Sequence, residues 1–415
     1  MRRIIVLTGA TGSCKTAVAT ALARRLPQLS SPLPVELPRL VSLDAVQVFR
    51  GPHIGAASPS PEQLEEAPTA LVACRGLDEG VSAGHLAAEA TEACRRLLDA
   101  GLVPVVVGGS GLYMDWFIDG PQGSPLADPA VRARIEAEVA ARPQWEHWLG
   151  KVAAASPLRA ERLVRGDWVK MRRALEIVAS GAAAIPEPPR TPLAERLDAS
   201  VCVFNLHWPR LDHLRLVDAR CEDMVAAGLL PEVLDLVVGN RVGSEWALDV
   251  PYAGPPLEPG HHVAAAIGYA QSLPFLANLV ADANAGVAPK ILAKALGSFV
   301  KDFQAKSRQL TRKQNRWFAR DDFLWLPLAE QSPDAVAETI ARLALSDLAD
   351  SGGPAKMAAA LEAQAADIAA GAAPWKNSPD DLAALRTYQV RPTTRDFPRR
   401  RSRSLSLAAH VAGAP

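Results

Sequence analysis

The sequence predicts an α/β protein built on a parallel sheet, and three observations carry that prediction. Short runs of β-branched and aliphatic residues stand at positions 3–7, 40–43 and 103–107. Helical stretches separate them, including an amphipathic one at 87–100. A glycine-containing turn, Gly9-Ala10-Thr11-Gly12-Ser13-Cys14-Lys15-Thr16, joins the first run to the first helix. Strands that are apolar throughout and alternate with helices are what a sheet covered on both faces requires.

Taken in order, residues 3–7 read as a strand, 9–16 as a tight loop and 17–26 as a helix. A Pro- and Ser-rich link at 27–38 leads to the strand at 40–43, closed by Asp44. The run at 103–107 ends in Gly108-Gly109. From 128 to 180 the pattern is wholly helical, with charged faces (Arg132, Arg134, Glu136, Glu138) and two tryptophans, Trp145 and Trp148. A Pro- and Ala-rich stretch at 182–192 reads as the linker leading out. A strand returns at 201–206, and 211–238 reads as a helix pair broken at Gly228. Residues 239–262, rich in Gly and Pro, read as a surface loop. Residues 263–323 are helical and become basic (Lys301, Lys306, Arg308, Arg312, Lys313, Arg316, Arg320). The expected division is a core in two parts, 1–125 and 201–330, with a helical segment inserted at 126–200. An Ala-rich tail follows at 331–415, disordered in part around Arg399-Arg400-Arg401-Ser402-Arg403.

The 415 residues are enough for more than one core. A composition 49% hydrophobic and 22% charged is that of a globular chain, not a disordered or fibrous one. No apolar run is long enough to span a bilayer, and residues 4–7 read as a buried strand, not as part of a signal peptide. No membrane partner is expected. The five cysteines stand singly, so neither a disulfide framework nor a zinc finger is read, and a reducing intracellular compartment is inferred, cytoplasm or organelle. Lys and Arg number 45 against 45 Asp and Glu, so a groove for nucleic acid has to be local.

The turn at 9–16 matches G-x-x-x-x-G-K-[ST] in three of its four fixed positions. The N–H groups of such a loop and the following helix N-terminus converge on an anion, Lys15 adds a point charge, and Thr16 can hold Mg²⁺. The expected fold is therefore a P-loop NTPase-like parallel sheet core with an inserted helical domain. Cys14 stands where the pattern has glycine, adding a Cβ and a sulfur near the anion and opposing an unusual backbone conformation. Either the thiol packs away and phosphate binding weakens, or the loop no longer works. Asp44 follows the second strand, at the carboxyl edge where open α/β sheets hold ligands, and should face the loop. It can ligate Mg²⁺, take a proton from an attacking amine, or serve only as a helix N-cap.

Further motifs follow in order. They are D-A-V-Q-V-F-R-G-x-x-I-G-A-A-S-P-S-P-E at 44–62, V-G-G-S-G-L-Y at 107–113 and R-A-L-E at 173–176. Next come R-C-E-D-M and G-L-L-P-E-V within 220–233, A-I-G-Y at 266–269 and K-Q-N-R-W-F at 313–318. Over residues 1–326 this series resembles the tRNA dimethylallyltransferase family. The resemblance implies transfer of a dimethylallyl group from dimethylallyl diphosphate to N6 of an adenosine next to the anticodon of tRNA. It implies that residues 9–16 hold the donor's diphosphate, with Lys15 and Thr16 helping and Mg²⁺ neutralising the leaving group. Asp44 matches the general base, and Ser110 matches a substrate-contacting threonine while keeping its hydroxyl. Arg220 is the candidate to steady the diphosphate. Asp44, Ala45, Val46, Gln47 and Ser110 are the expected tRNA contacts near the chemistry, with Gln47 able to read a base edge. The target base has to swing out of its stack to be reached. Segment 126–200 would grip the anticodon arm through Lys170, Arg172 and Arg173, for which a solvated helix face is the alternative. A monomer is expected.

The chain also departs from the family's pattern. Ala45 replaces a serine, Phe49 a tyrosine, and Thr69-Ala70 a His-His pair. Lys170 replaces an arginine, which keeps charge and loses the bidentate fork. His261-His262 are expected to be solvated. Trp317-Phe318 either stack on unpaired bases or, the commoner role, anchor their helix to the core. Two other functions stay open: an adenylate isopentenyltransferase acting on free nucleotide, and a catalytically impaired RNA-binding relative whose loop Cys14 has spoiled. Ile54-Gly55 with Pro59, and the basic R-A-L-E helix, favour tRNA. A P-loop nucleotide kinase would not account for the later motifs.

Overall fold

Strand β1 (Arg3–Thr8) is buried at every residue, because it runs through the middle of a six-stranded sheet. In the computed structural model β1 pairs with β4 (Val105–Val107) on one side and β5 (Ser200–His207) on the other. With β2 (Leu40–Ser42), β3 (Thr69–Ala70) and β6 (Leu324–Pro327) the order is β3-β2-β4-β1-β5-β6, and every pairing is parallel. The structure describes residues 2–26, 38–121, 128–181, 190–239, 252, 254–284, 289–328, 331–345, 359–364 and 366–367. Most of the link at 27–38, most of the linker at 182–192, much of the loop at 239–262 and the Arg399-to-Arg403 run lie outside them.

The chain divides into two units, Met1–Phe117 with Leu197–Pro415, and Ile118–Arg196. In the first, α1 (Lys15–Arg25), α2 (Pro61–Glu66), α3 (Ala83–Asp99) and α4 (Gly111–Ile118) follow the early strands, α4 running one residue past the boundary. Helix α3 begins four residues before the expected start because Ser82 caps it, accepting from the His85 N–H at 3.2 Å. The second unit holds α5 (Pro129–Ala141), α6 (Trp145–Ala155), α7 (Pro157–Glu161) and α8 (Trp168–Ala179), with α9 (Leu193–Leu197) at its end. Asp128 and Asp167 cap α5 and α8. Ile135, Val139, Trp145, Trp148, Val152 and Met171 form this unit's own apolar core.

After β5 come α10 (Arg210–Ala227) and α11 (Leu229–Val238), joined at Gly228, whose φ of 112° is a left-handed helix end that glycine adopts without strain. Helices α12 (Tyr269–Asn284), α13 (Pro289–Trp317) and α14 (Pro333–Leu345) complete the order. Helix α14, placed by the sequence in the Ala-rich tail, is core: Val336, Ala337, Ile340 and Ala344 are buried against Val18 and Leu22 of α1. Strand β6 is not read from the sequence, because only four residues form it, directly after the stretch read as helical to residue 323. Gln364 caps its open side, accepting from the Trp325 N–H at 2.8 Å and donating to the Phe323 carbonyl at 2.7 Å. Among the described residues no helix is long and apolar enough to cross a membrane.

Candidate active site

The chain leaves β1 through a loop whose shape is set by close approach. A Cβ on Gly9 would lie 2.6 Å from the Leu206 carbonyl, and Gly12 has a φ of 79°. Ala10 and Ser13 are fully buried. Cys14 then takes φ 54° and ψ 22°, the left-handed conformation for which the motif's glycine is suited, and α1 starts behind it. For a residue with a Cβ this costs about 1 kcal/mol or more. The thiol does not pack away into the protein. Cys14 is exposed and borders a cavity of about 450 Å³, which remains open around it.

That cavity lies at the carboxyl ends of the central strands, where open α/β sheets bind ligands. It is lined by Thr11 through Thr16, by Asp44 and Gln47 past β2, by Gly109 past β4 and by Arg220 of α10. Lys15 donates from Nζ to the carbonyls of Gly9 at 2.8 Å and Ala10 at 2.9 Å. Burial, then the neighbouring Arg220 guanidinium, lowers its ammonium to about 8, with Asp44 and Cys14 pulling the other way. Arg220 has no ion pair among the described residues, and burial lowers its pKa too, against Cys221, Asp44 and Cys14. Two cations thus border one cavity without a carboxylate partner, an arrangement that favours an anion. Met224, Ile267, Phe303 and Leu310 supply an apolar wall to the same space.

Asp44 is half-buried and both borders the cavity and caps its own turn: Oδ1 accepts from the N–H groups of Val46 at 2.9 Å and Gln47 at 3.2 Å. Oδ2 has no hydrogen-bond partner among the described residues. Burial, then Asp44, raises the nearby Tyr113 hydroxyl. Gln47 is already committed. Its Oε1 accepts from the Ser42 hydroxyl at 2.9 Å, and its Nε2 donates to the carbonyls of Ala56 at 3.3 Å and Ala57 at 3.0 Å. The amide expected to read a base edge here ties β2 to the 54–57 loop, and Gln47 also lines the cavity. Val46 lines the cavity, whereas the carbonyl of Ala45 accepts from His262 Nε2 at 2.9 Å. His261 and His262 are half-buried, stacked on each other at 4.6 Å and edge-on to Phe49, so they hold this turn instead of lying in solvent. Ser110, one residue past Gly109, is half-buried and does not line the cavity.

The 54–57 loop owes its place to one buried carboxylate. Glu232 of α11 accepts from the N–H groups of His53 at 3.0 Å and Gly55 at 2.9 Å, from that of Ile54, and from the Tyr269 hydroxyl at 2.6 Å. A Cβ on Gly55 would meet the Tyr269 ring at 2.5 Å. The I-G, G-L-L-P-E-V and A-I-G-Y motifs thus converge on one cluster.

The sequence model described as IPP transferase matches residues 47–321. The chain belongs to that family. It is 32% identical to a tRNA dimethylallyltransferase of Anaeromyxobacter sp. (strain Fw109-5), covering 77% of this chain and 93% of that protein. It is 30% identical to a tRNA dimethylallyltransferase of Chlamydia pneumoniae, covering 82% of this chain and 89% of that one. A solved eukaryotic dimethylallyltransferase acting on tRNA has the same fold, with a TM-score of 0.58 at 16% identity over 93% of this chain and 84% of that one.

In this IPP transferase the three α8 cations belong to the second unit. Lys170 is exposed and pairs with Asp167 at 3.1 Å. Arg173 pairs with the buried Glu176 at 2.9 Å, and Arg132 of α5 pairs with the same carboxylate at 3.3 Å. Arg172 has a buried Nε with no hydrogen-bond partner among the described residues. Trp317 and Phe318 separate: Phe318 is core at 2% exposure, whereas Trp317 is 48% exposed and packs over the Gly111 backbone.

Sequence reading assigned no role to two residues that hold the transferase's loop. Gln314 accepts from the Thr11 N–H, and His213 contacts the Thr11 carbonyl. Gln314 lies inside the K-Q-N-R-W-F motif, which was a usable signal. For His213 the sequence carries none.

Proposed function

We propose that this chain transfers the dimethylallyl group of dimethylallyl diphosphate to N6 of an adenosine next to the anticodon of tRNA. The observation that carries the reading is the shared cavity, which Lys15 and Arg220, neither in an ion pair among the described residues, Asp44 with its free Oδ2, and apolar side chains all border. The IPP transferase family, and the names of relatives that match most of the chain, support it.

In this scheme the diphosphate lies against the N–H groups at the start of α1, where the helix dipole and Lys15 favour negative charge. Arg220 stabilises the charge that grows as the bond between the allylic carbon and the diphosphate oxygen breaks. The lone pair of N6 forms the new bond to that carbon, and the N6 proton passes to Asp44 Oδ2. The side chains of Met224, Ile267, Phe303 and Leu310 shelter the five-carbon group from water. No cluster of three or more His, Cys, Asp or Glu side chains suited to a metal occurs among the described residues. Mg²⁺ fits this site in the way it fits phosphate sites generally, through substrate oxygens plus few protein groups, here the Thr16 hydroxyl with Asp44 in reach of the same cavity. When bound it neutralises diphosphate charge. The protein works as a monomer in this reading, and α8 supplies tRNA contacts through Lys170, Arg172 and Arg173.

The test is direct. Purified protein is incubated with dimethylallyl diphosphate, Mg²⁺ and either undermodified tRNA or AMP, and N6-prenyladenosine is sought by mass spectrometry. Product on tRNA alone supports the proposal. Product on AMP alone replaces it with a free-nucleotide enzyme, and no product on either, with tRNA still bound, replaces it with an RNA-binding relative.

A further inference from the structure

Both backbone polar groups of Thr11 are held by side chains that the chemistry does not use. The N–H donates to Gln314 Oε1 of α13 at 2.9 Å. The carbonyl accepts from His213 Nε2 of α10 at 2.8 Å. A carbonyl cannot donate, so His213 carries a proton on Nε2. That ring is 2% exposed, and burial, first among the causes, lowers its pKa and keeps it neutral. Gln314 also donates from Nε2 to the Gly109 carbonyl at 2.7 Å, tying the loop after β1 to the turn after β4.

These contacts decide which way the neighbouring peptides point. In a trans peptide the N–H is directed opposite to the C=O. Drawing the Thr11 carbonyl toward His213 therefore turns the Gly12 N–H away from it. On the other flank, the Ala10 carbonyl is held by Lys15 Nζ at 2.9 Å and by the Ser13 N–H at 3.1 Å, while the Thr11 N–H of the same peptide is held by Gln314. Two consecutive peptides are thus fixed by the protein itself. Such fixing before a ligand arrives lowers the cost of binding it. Three residues on, Cys14 occupies a left-handed conformation that a side chain disfavours, so the loop has a standing reason to relax out of this shape.

We infer that His213 and Gln314 are positioning residues, a two-point clamp on Thr11 that keeps the phosphate loop in its anion-receiving shape in spite of Cys14. The inference rests on the diphosphate reading of this loop. It makes the clamp matter most when position 14 has a side chain. A loop that spends part of its time relaxed binds its anion more weakly in proportion to the fraction lost.

The experiment uses the full chain with His213→Leu or Gln314→Leu, each alone and combined with Cys14→Gly. Affinity for inorganic diphosphate with Mg²⁺ is measured by calorimetry, and KM and kcat for prenyl transfer to tRNA are measured beside it. With Cys14 present, each substitution is expected to raise the diphosphate Kd and the donor KM about fivefold, the scale of the one hydrogen bond to Thr11 that each removes, and to change kcat less than about twofold. In the Cys14→Gly background the rise should shrink to less than about twofold. His213→Gln, which keeps an N–H donor, should restore most of the affinity lost in His213→Leu. Equal losses in both backgrounds, an unchanged Kd, or a His213→Gln protein as weak as His213→Leu would each overturn the clamp. If the unsubstituted chain binds no diphosphate, the reading of the loop falls and the clamp falls with it. If that chain binds and the variants bind equally well, the clamp alone falls.

Discussion

The cations of the cavity and the cations of α8 are the same residue types in opposite company. Lys15 rests on backbone carbonyls and Arg220 has no ion pair among the described residues. Lys170 and Arg173 each lie beside a carboxylate, Asp167 and Glu176. A cation with a carboxylate partner has most of its field cancelled, and at an exposed site such a pair contributes less than about 1 kcal/mol to stability. A sheltered cation with no acidic partner keeps its field for whatever enters. Charge alone therefore does not mark a site in this molecule; cations that border one cavity without an ion pair do.

The strongest test of that contrast lies in the one carboxylate that shares the cavity. Asp44→Asn keeps an Oδ1 to accept from Val46 and Gln47, so the turn survives while the proton acceptor is lost. Turnover in single-turnover assays should fall by about a thousandfold, with tRNA affinity little changed. An enzyme that ran at full rate would remove the base assignment. Next in size, Arg220→Gln should lower kcat/KM for the donor by about a hundredfold, whereas Arg173→Gln should leave donor kinetics as they are. Similar losses from both would erase the difference between the two regions. A structural counterpart is Glu232→Ala, which strands three backbone N–H groups and the Tyr269 hydroxyl. It should cost about 3 kcal/mol in urea denaturation, and an unchanged midpoint would show that the 54–57 loop is held by something else. The smallest effect belongs to Lys170→Ala. Stability should change by less than about 0.5 kcal/mol, and the salt dependence of tRNA binding should lose about one unit of slope. An unaltered slope would leave α8 as a solvated face.

The sheet was legible because its central strands bury both faces, and that condition writes itself into sequence as apolar runs within β1 and β4 and over residues 201–204 of β5. The phosphate loop and Asp44 were legible for a different reason: their neighbours in space are also neighbours in the chain. The contacts that escaped are long-range. Thr11 reaches Gln314 across 303 positions and His213 across 202, and nothing in local pattern announces such a meeting. Glu232 stood in a motif, but its task of gathering the N–H groups of His53, Ile54 and Gly55 needed the fold to be seen. The His261-His262 pair was misjudged for the same reason, and the ties Gln47 makes to Ser42 and the 54–57 loop were likewise invisible. Polar side chains in loops look available until their partners from other elements are in place.

Gln364 carries a practical consequence for handling the protein. Strand β6 ends the sheet, and the amide of this single glutamine occupies the Trp325 N–H and the Phe323 carbonyl on its outer side. Clipping the chain just after Leu345 would strip that cover and leave a bare ladder edge, ready to recruit a strand from another molecule. A shortened version designed to trim the C-terminal region should keep residues through 364, or it will trade purity for aggregation.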